Sequence, residues 1–187
     1  PRLLTLTGPG GGGKSRLALE AAHGLPATFP GGIWLVELSA LREPALVPGA
    51  IARTLGVVED AGEARDRGLL AALREGATLL ILDNCEHLLD ACAAVAARLL
   101  ALVPGLRILA TSREALQVPG ELVRPVGALG LPPGPGDARW RGEGWREALL
   151  ASEAAQLLLD RIALRRPDFA PAAAGAAPLA AICRRLD

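Results

Sequence analysis

The sequence predicts an α/β domain in which helices cover both faces of a parallel sheet, followed by the start of an all-α subdomain. Short apolar runs alternate with helical patterns through the first 127 residues. Several of these runs, such as 79–82, are apolar at every position, which is typical of strands buried on both faces. Half of the residues (51%) are hydrophobic, which is enough to fill a sizeable core.

The elements can be placed in order along the chain. The predicted strands are 3–7, 33–38, 78–82, 107–111 and, at a sheet edge favoured by Pro125, 122–126. The predicted helices between them are 15–22, 45–55, 66–73 and 88–102. Each of the first three strands is therefore followed by helical sequence, as the crossover connections of a parallel sheet usually are.

The pattern changes after Gly127. Residues 128–150 hold many Gly and Pro and predict a linker between a nucleotide-binding domain over 1–127 and a further unit. Helical periodicity from Ser152 to about Arg165, and again over 178–186, predicts the first helices of a truncated helical subdomain over 151–187. The sequence contains no methionine, so we expect it to be a piece of a longer protein with further domains.

Composition excludes several classes of function. The 20 basic and 20 acidic residues cancel, which gives no sign of a nucleic-acid or membrane surface. Three scattered cysteines are too few for a disulfide framework, which favours a reducing cytoplasm. No apolar run approaches the roughly 18 residues of a membrane span, so we expect a cytoplasmic protein with no membrane partner.

A glycine-rich segment directly after the first strand carries the strongest motif. The segment comprises Gly8, Pro9, Gly10, Gly11, Gly12, Gly13, Lys14 and Ser15. We include the next residue, Arg16, in the predicted nucleotide-binding site. The segment fits the G-x-x-x-x-G-K-[ST] pattern of P-loop NTPases, between a strand and a helix as that motif requires. Its backbone N–H groups would surround the phosphates, Lys14 would contact the β- and γ-phosphates, and Ser15 would bind Mg²⁺.

Lys14 is the only lysine, and every other basic side chain is arginine. A chain so biased towards arginine has kept a compact point charge where a phosphate site needs one. The alternative, a flexible glycine-rich loop, does not explain this choice. We therefore predict binding of ATP or GTP with Mg²⁺.

The third predicted strand runs into Asp83, which is typical of a Walker B strand that brings a carboxylate to Mg²⁺. Many hydrolysing ATPases carry a second carboxylate directly after this aspartate, but Asn84 occupies that position here and cannot act as a base. Glu86 could orient the attacking water. Equally, it could lie in the first turn of the next helix and favour the helix dipole.

The fourth predicted strand ends at Thr111-Ser112-Arg113. Taken alone, Arg113 could be a solvated surface arginine. After the Walker B strand in chain order, an arginine at this place can hold its guanidinium near a γ-phosphate, and we favour that role. The catalytic set predicted from the sequence is thus Lys14, Asp83, Glu86 and Arg113, with Ser15 and Asp83 on the metal.

These segments together resemble the STAND class of signal-transduction NTPases, in particular the NB-ARC-like domain of large bacterial transcriptional regulators. Four segments carry the resemblance: 4–18, 80–88 with its Leu-Asp-Asn-Cys-Glu-His-Leu, Ala-Thr-Ser-Arg-Glu at 110–114, and 182–187. The resemblance implies that the fourth strand lies between the P-loop strand and the Walker B strand. It also implies that Arg113 senses the γ-phosphate.

The resemblance further implies a switch controlled by ATP and ADP with slow Mg²⁺-dependent hydrolysis. The implied partners are other domains of the same chain, DNA only through those domains, and self-association in the ATP state. The main alternative is an AAA-type motor that hydrolyses ATP steadily, against which Asn84 counts. A small-molecule kinase and a scaffold without nucleotide are further alternatives, and the lone lysine counts against the scaffold.

Overall fold

The computed structural model describes residues 1–57, 62–134, 136–142 and 144–185. Within them the chain divides into two compact units, Pro1–Gly127 and Ala128–Asp187. Leu186 and Asp187, which end the last predicted helix and the resembling segment, lie outside the described residues, as do Pro135 and Glu143 of the predicted linker.

The first unit is built on one five-stranded parallel sheet. Its strands are β1 (Leu3–Thr7), β2 (Ile33–Glu37), β3 (Thr78–Asp83), β4 (Leu106–Ser112) and β5 (Glu121–Pro125). The strand order is β2-β3-β4-β1-β5, and every neighbouring pair is parallel. The predicted α/β class is confirmed, and so is the implied placement of β4 between β1 and β3. β5 lies at the edge, as Pro125 predicts.

Helices pack on both faces of this sheet. They are α1 (Lys14–His23), α2 (Val47–Thr54), α3 (Gly62–Arg74) and α4 (Leu89–Leu102). Strand side chains alternate between the faces. Leu80 and Leu82 pack into a core that α2, α3 and α4 share, whereas Ile81 packs into a smaller core with Ala18 and Ala22 of α1. Residues at odd positions of β3 therefore face the side of the sheet that α1 covers.

The second unit is helical and has its own core. It contains α5 (Trp145–Leu150), α6 (Glu153–Ala163) and α7 (Ala173–Arg185), preceded by a 3₁₀ helix at Ala138–Arg141. Leu149 is fully buried, and Trp140 is buried with its indole N–H donating to Gly134 O at 2.6 Å. The segment 128–150, interpreted from its composition as a linker, thus contains two short helices whose apolar residues pack within this unit.

The last helix begins earlier than its sequence pattern indicates. Helical periodicity predicted a start at Pro178. The structure instead begins α7 at Ala173 and keeps Pro178 inside the helix. The alanines before the proline are strong helix formers, and they extend the helix by one turn and more.

Candidate functional site

The segment Gly8–Ser15 comprises the loop that joins β1 to α1 at the carboxyl edge of the sheet and the first two residues of α1. Gly13 caps α1 with φ 78°, in the left-handed region that glycine adopts without cost. Gly8 has φ 150°, and a methyl group there would lie 2.5 Å from the Val126 carbonyl oxygen. Only glycine therefore allows this loop to leave β1 beside the end of β5.

Lys14 is buried, with 7% of its surface exposed, although it carries a charge. Its ammonium donates to Gly8 O at 3.0 Å and to Pro9 O at 2.8 Å, so the side chain curls back into the loop. Among the ion pairs within the described residues, none involves Lys14. Within the described residues, the hydrogen-bond acceptors of this buried ammonium are neutral carbonyl oxygens. Because they leave its charge unbalanced, the ammonium is well suited to bind an anionic ligand.

The rest of the predicted phosphate segment is more exposed than Lys14. A methyl group at Gly11 or Gly13 would meet no atom within 4 Å, so the loop is open at these positions. Ser15 is partly buried in the first turn of α1. Arg16 lies on the exposed face of the helix, where its guanidinium is 3.8 Å from Glu20 Oε1.

Asp83 ends β3 and is fixed by a residue of the neighbouring strand. The buried Thr111 hydroxyl donates to Asp83 Oδ1 at 2.6 Å and accepts from the Asn84 N–H at 2.9 Å. Asn84 has φ 67°, a left-handed conformation that asparagine tolerates better than most residues. The turn directs the chain away from the strand and leaves the aspartate at the sheet edge.

These donors fit a magnesium ion better than a softer metal. Ser15 would offer a hydroxyl and Asp83 a carboxylate oxygen, and hard oxygen ligands are those that Mg²⁺ takes together with phosphate and water. Within the described ranges no cluster of three or more His, Cys, Asp or Glu side chains could hold a metal. A site that uses one carboxylate and one hydroxyl is not such a cluster.

Arg113 and Glu86 form an ion pair next to the loop. Arg113 Nε lies 3.5 Å from Glu86 Oε1, and the arginine is 67% exposed whereas the glutamate is 17% exposed. A methyl group at Gly10 would lie 3.5 Å from Arg113 Nη2, so the guanidinium also borders the P-loop. Glu86 Oε2 is buried and has no hydrogen-bond partner within the described residues.

The cysteine beside these residues has a packing role. Cys85 is fully buried and donates its thiol hydrogen to Leu82 O at 3.4 Å. A hydrogen bond with Cys92, together with burial, raises the pKa of the Cys85 thiol. Cys85 is therefore a neutral core residue and not a nucleophile.

Three residues near Asp83 were assigned no role at the site from the sequence. They are Thr111, Glu37 and His87. Thr111 reaches Asp83 because β3 and β4 pair with Leu82 opposite Ala110. Glu37 lies opposite Asp83 on β2, and His87 bonds to the loop that follows β2. The sequence signal for Thr111 and Glu37 is strand register, which requires knowing which strands are neighbours.

The fold and this loop define an α/β domain of the P-loop type. No family model matches the chain. Over 186 residues it is 36% identical to the Mycobacterium tuberculosis protein named "Putative HTH-type transcriptional regulator Rv0890c" and to its Mycobacterium bovis equivalent, Mb0914c. It is 38% identical, also over 186 residues, to the Mycobacterium tuberculosis protein named "Uncharacterized protein Rv0894".

These alignments cover 100% of the chain, but the chain spans 19% of the length of the two regulators and 42% of the third protein. The chain is therefore related throughout its length to one segment of larger proteins, two of which are named as regulators of transcription. No helix within the described residues is long and apolar enough to cross a membrane.

Proposed function

We propose that this chain is the nucleotide-binding module of a transcriptional regulator and that it responds to whether ATP or ADP occupies the P-loop. One observation carries the proposal. The only lysine of the chain is buried inside the glycine-rich loop after β1, and carbonyl oxygens are its described partners. A phosphate oxygen is a stronger partner for an ammonium than a carbonyl, so a nucleotide would draw Lys14 away from Gly8 and Pro9.

Each predicted site residue then has a role. The loop N–H groups from Gly10 to Gly13 and the start of α1 would bind the phosphates, with Lys14 on the β- and γ-phosphates and Arg16 at the margin of the site. Ser15 and Asp83 would hold Mg²⁺, which when bound neutralises phosphate charge. Thr111 supports this role, because its hydrogen bond fixes one oxygen of Asp83.

Arg113 would report the γ-phosphate. The Arg113 guanidinium already lies beside Gly10 of the loop and is paired with Glu86, the third residue after Asp83 in the sequence. A γ-phosphate would compete with Glu86 for the guanidinium and so couple the nucleotide state to β4 and to the segment after Asp83. We assign Glu86 the role of holding Arg113 in place through Oε1, because Glu86 Oε2 is buried away from water.

Within this proposal, we assign the chain to the NB-ARC-like domain of a STAND-class NTPase. The motifs at the ends of β1, β3 and β4 and the helical second unit support it. The names of the two regulators support an effect on transcription, with DNA bound by other domains of the longer protein. Self-association in the ATP state belongs to the same proposal.

The test is nucleotide affinity measured by calorimetric titration on the full-length protein. Lys14→Ala should lower the affinity for ATP and ADP at least a hundredfold, because a charge-assisted contact to two phosphates is lost. Lys14→Arg should also bind poorly, because a planar fork does not replace a point charge in so tight a loop. Arg53→Ala, on the exposed end of α2, is the matched control and should bind as the wild type does.

Wild-type affinity in Lys14→Ala, with folding unchanged by circular dichroism, would refute nucleotide binding at this loop. Turnover separates the switch from the motor alternative. Steady hydrolysis by the wild type above about 1 s⁻¹, the lower end of ordinary enzyme rates, would favour the motor.

A further inference from the structure

Glu37 is the last residue of β2 and lies directly opposite Asp83 in the parallel pairing of β2 with β3. Val36 packs into the core on the α2–α4 side, and Leu35 packs into the core on the α1 side. Because side chains alternate along a strand, Glu37 projects to the α1 side together with Asp83. Neighbouring strands are about 4.8 Å apart, so the two residues are adjacent on the side of the sheet that α1 covers.

Two contacts fix the backbone around Glu37 relative to Asp83. The Leu38 N–H donates to the Asp83 carbonyl oxygen at 3.0 Å, which extends the strand pairing beyond β2. His87 Nε2 lies 3.1 Å from Leu38 O and 2.8 Å from Leu41 O. Carbonyl oxygens only accept, so Nε2 carries the proton and donates to both. The loop after Glu37 is therefore tied to the same segment that follows Asp83.

The other groups near Asp83 are unsuited to accept a proton from water. Asn84 has an amide, which can hold a water molecule but cannot take its proton. Glu86 has one oxygen 3.5 Å from Arg113 Nε and the other buried. Glu37, in contrast, is exposed, and among the described residues no hydrogen bond or ion pair involves its carboxylate. A carboxylate that is both exposed and unoccupied can bind and orient a water.

We propose that Glu37 is the general base of ATP hydrolysis at this site, an inference that rests on the proposed nucleotide function. A water molecule held by Glu37 attacks the γ-phosphorus, and its oxygen forms the new P–O bond. The bond from the γ-phosphorus to the β–γ bridging oxygen breaks, and ADP leaves with that electron pair. The water proton passes to Glu37 and from there to solvent, so that ATP and water give ADP and inorganic phosphate.

The experiment compares Glu37→Gln with wild type in the full-length protein. Single-turnover hydrolysis with Mg²⁺ should fall about 10²–10⁴-fold, the usual contribution of a general base. ATP affinity measured by calorimetry should stay within about threefold of wild type, both with Mg²⁺ and in chelator. After incubation with ATP and Mg²⁺, chromatography of the bound nucleotide should find mostly ATP in Glu37→Gln and more ADP in wild type.

Glu43→Gln is the matched control, since Glu43 is an exposed glutamate of the loop after β2 and is not opposite Asp83. It should hydrolyse ATP at the wild-type rate. The thermal midpoint of Glu37→Gln should be within a few degrees of wild type, because the exposed carboxylate has no described partner to lose.

The outcomes separate this inference from the proposed function. If wild type binds ATP but Glu37→Gln hydrolyses it within threefold of the wild-type rate, Glu37 is not the base and the nucleotide site stands. A loss of affinity confined to Mg²⁺ would make Glu37 a metal ligand and would also overturn the inference. Bound ATP that wild type never hydrolyses would overturn it as well. If wild type binds no nucleotide, the proposed function itself fails.

Discussion

Thr111 donates its hydroxyl proton to Asp83 Oδ1 at 2.6 Å, which joins the end of β4 to the end of β3. The same hydroxyl accepts from the Asn84 N–H, so one buried side chain fixes both the carboxylate and the turn after it. The carboxylate that we assign to Mg²⁺ is thus oriented before any ligand arrives.

Thr111→Val should therefore weaken Mg²⁺-dependent ATP binding. The substitution keeps the shape of the side chain but removes a hydrogen bond to a charged group, worth about 1.5–3 kcal/mol. We expect an affinity loss of tenfold or more with Mg²⁺ and a much smaller one in chelator, measured by calorimetry. Thr54→Val is the control, because among the described residues the partner of the Thr54 hydroxyl is Ala50 O within α2. Equal losses with and without Mg²⁺ would mean that Thr111 is purely structural.

Gly8→Ala should disrupt the start of the P-loop. A methyl group would lie 2.5 Å from the Val126 carbonyl oxygen, and this is a backbone atom that cannot rotate away. The Val126 N–H donates to Thr7 O at 2.7 Å, so relieving the clash would break the end of the β1–β5 pairing. We expect a loss of about 1–3 kcal/mol in stability by urea unfolding and weaker nucleotide binding.

Gly24→Ala is the control for that experiment, because a methyl group there meets no atom within 4 Å and the residue already has α-helical angles. Its stability should match that of the wild type or exceed it slightly. If Gly8→Ala is as stable as Gly24→Ala, the backbone at Gly8 does not lie as close to the Val126 carbonyl oxygen as the structure shows.

Local sequence predicted the elements of the sheet well, because each buried strand is a short apolar run between glycine, proline or polar residues. The glycine-rich loop was equally clear, since its motif is contiguous in the chain. The neighbours of Asp83 were not accessible in this way. Thr111 and Glu37 reach it across strands that are 28 and 46 positions away, and a shift of one residue in register would turn either side chain to the opposite face.

The second unit illustrates a different limit. Glycine and proline in 128–150 predict a linker, and they do interrupt regular secondary structure there. Trp140 and Leu149 nevertheless bury enough apolar surface to hold short helices together. Burial of this kind depends on α6 and on α7, and α7 is distant in sequence. Local composition could not reveal it.

Stability should depend on pH through Asp66. Arg98 Nη2 of α4 lies 2.7 Å from Asp66 Oδ2 of α3, and Arg65 Nη2 lies 3.4 Å from Oδ1. The hydrogen bond from Arg98, helped by Arg65, holds the pKa of the Asp66 carboxyl below its usual value. Since the folded pKa is lower than the unfolded one, the stabilisation is complete above the unfolded pKa of about 3.9 and is lost as the pH falls through the folded pKa.

Asp66→Asn should thus lower the free energy of unfolding at pH 7 by about 0.5–1 kcal/mol, and the difference from wild type should shrink as the pH falls below about 4. Urea titrations between pH 7 and pH 3 measure this. Arg98→Ala should remove most of the same pH dependence, and the double variant should lose less than the sum of the two single variants. Additive losses would show that the two side chains act independently.

Arg113→Ala should narrow the difference between ATP and ADP affinity. Arg113 Nε is 3.5 Å from Glu86 Oε1 and Nη2 borders Gly10, so the guanidinium is already positioned between the loop and the segment after Asp83. A contact to the γ-phosphate would add about 1.5–3 kcal/mol to ATP binding alone, which corresponds to tenfold or more in the affinity ratio. Calorimetry with both nucleotides in the full-length protein gives this ratio directly. Arg107→Ala, at the opposite end of β4 and bonded to Pro1 O, is the control and should leave the ratio unchanged.

Glu86→Gln should act in the opposite direction, because a neutral amide holds Arg113 less strongly and releases it to the γ-phosphate. If Arg113→Ala weakens ATP and ADP equally, the arginine binds phosphates in general and does not sense the third one.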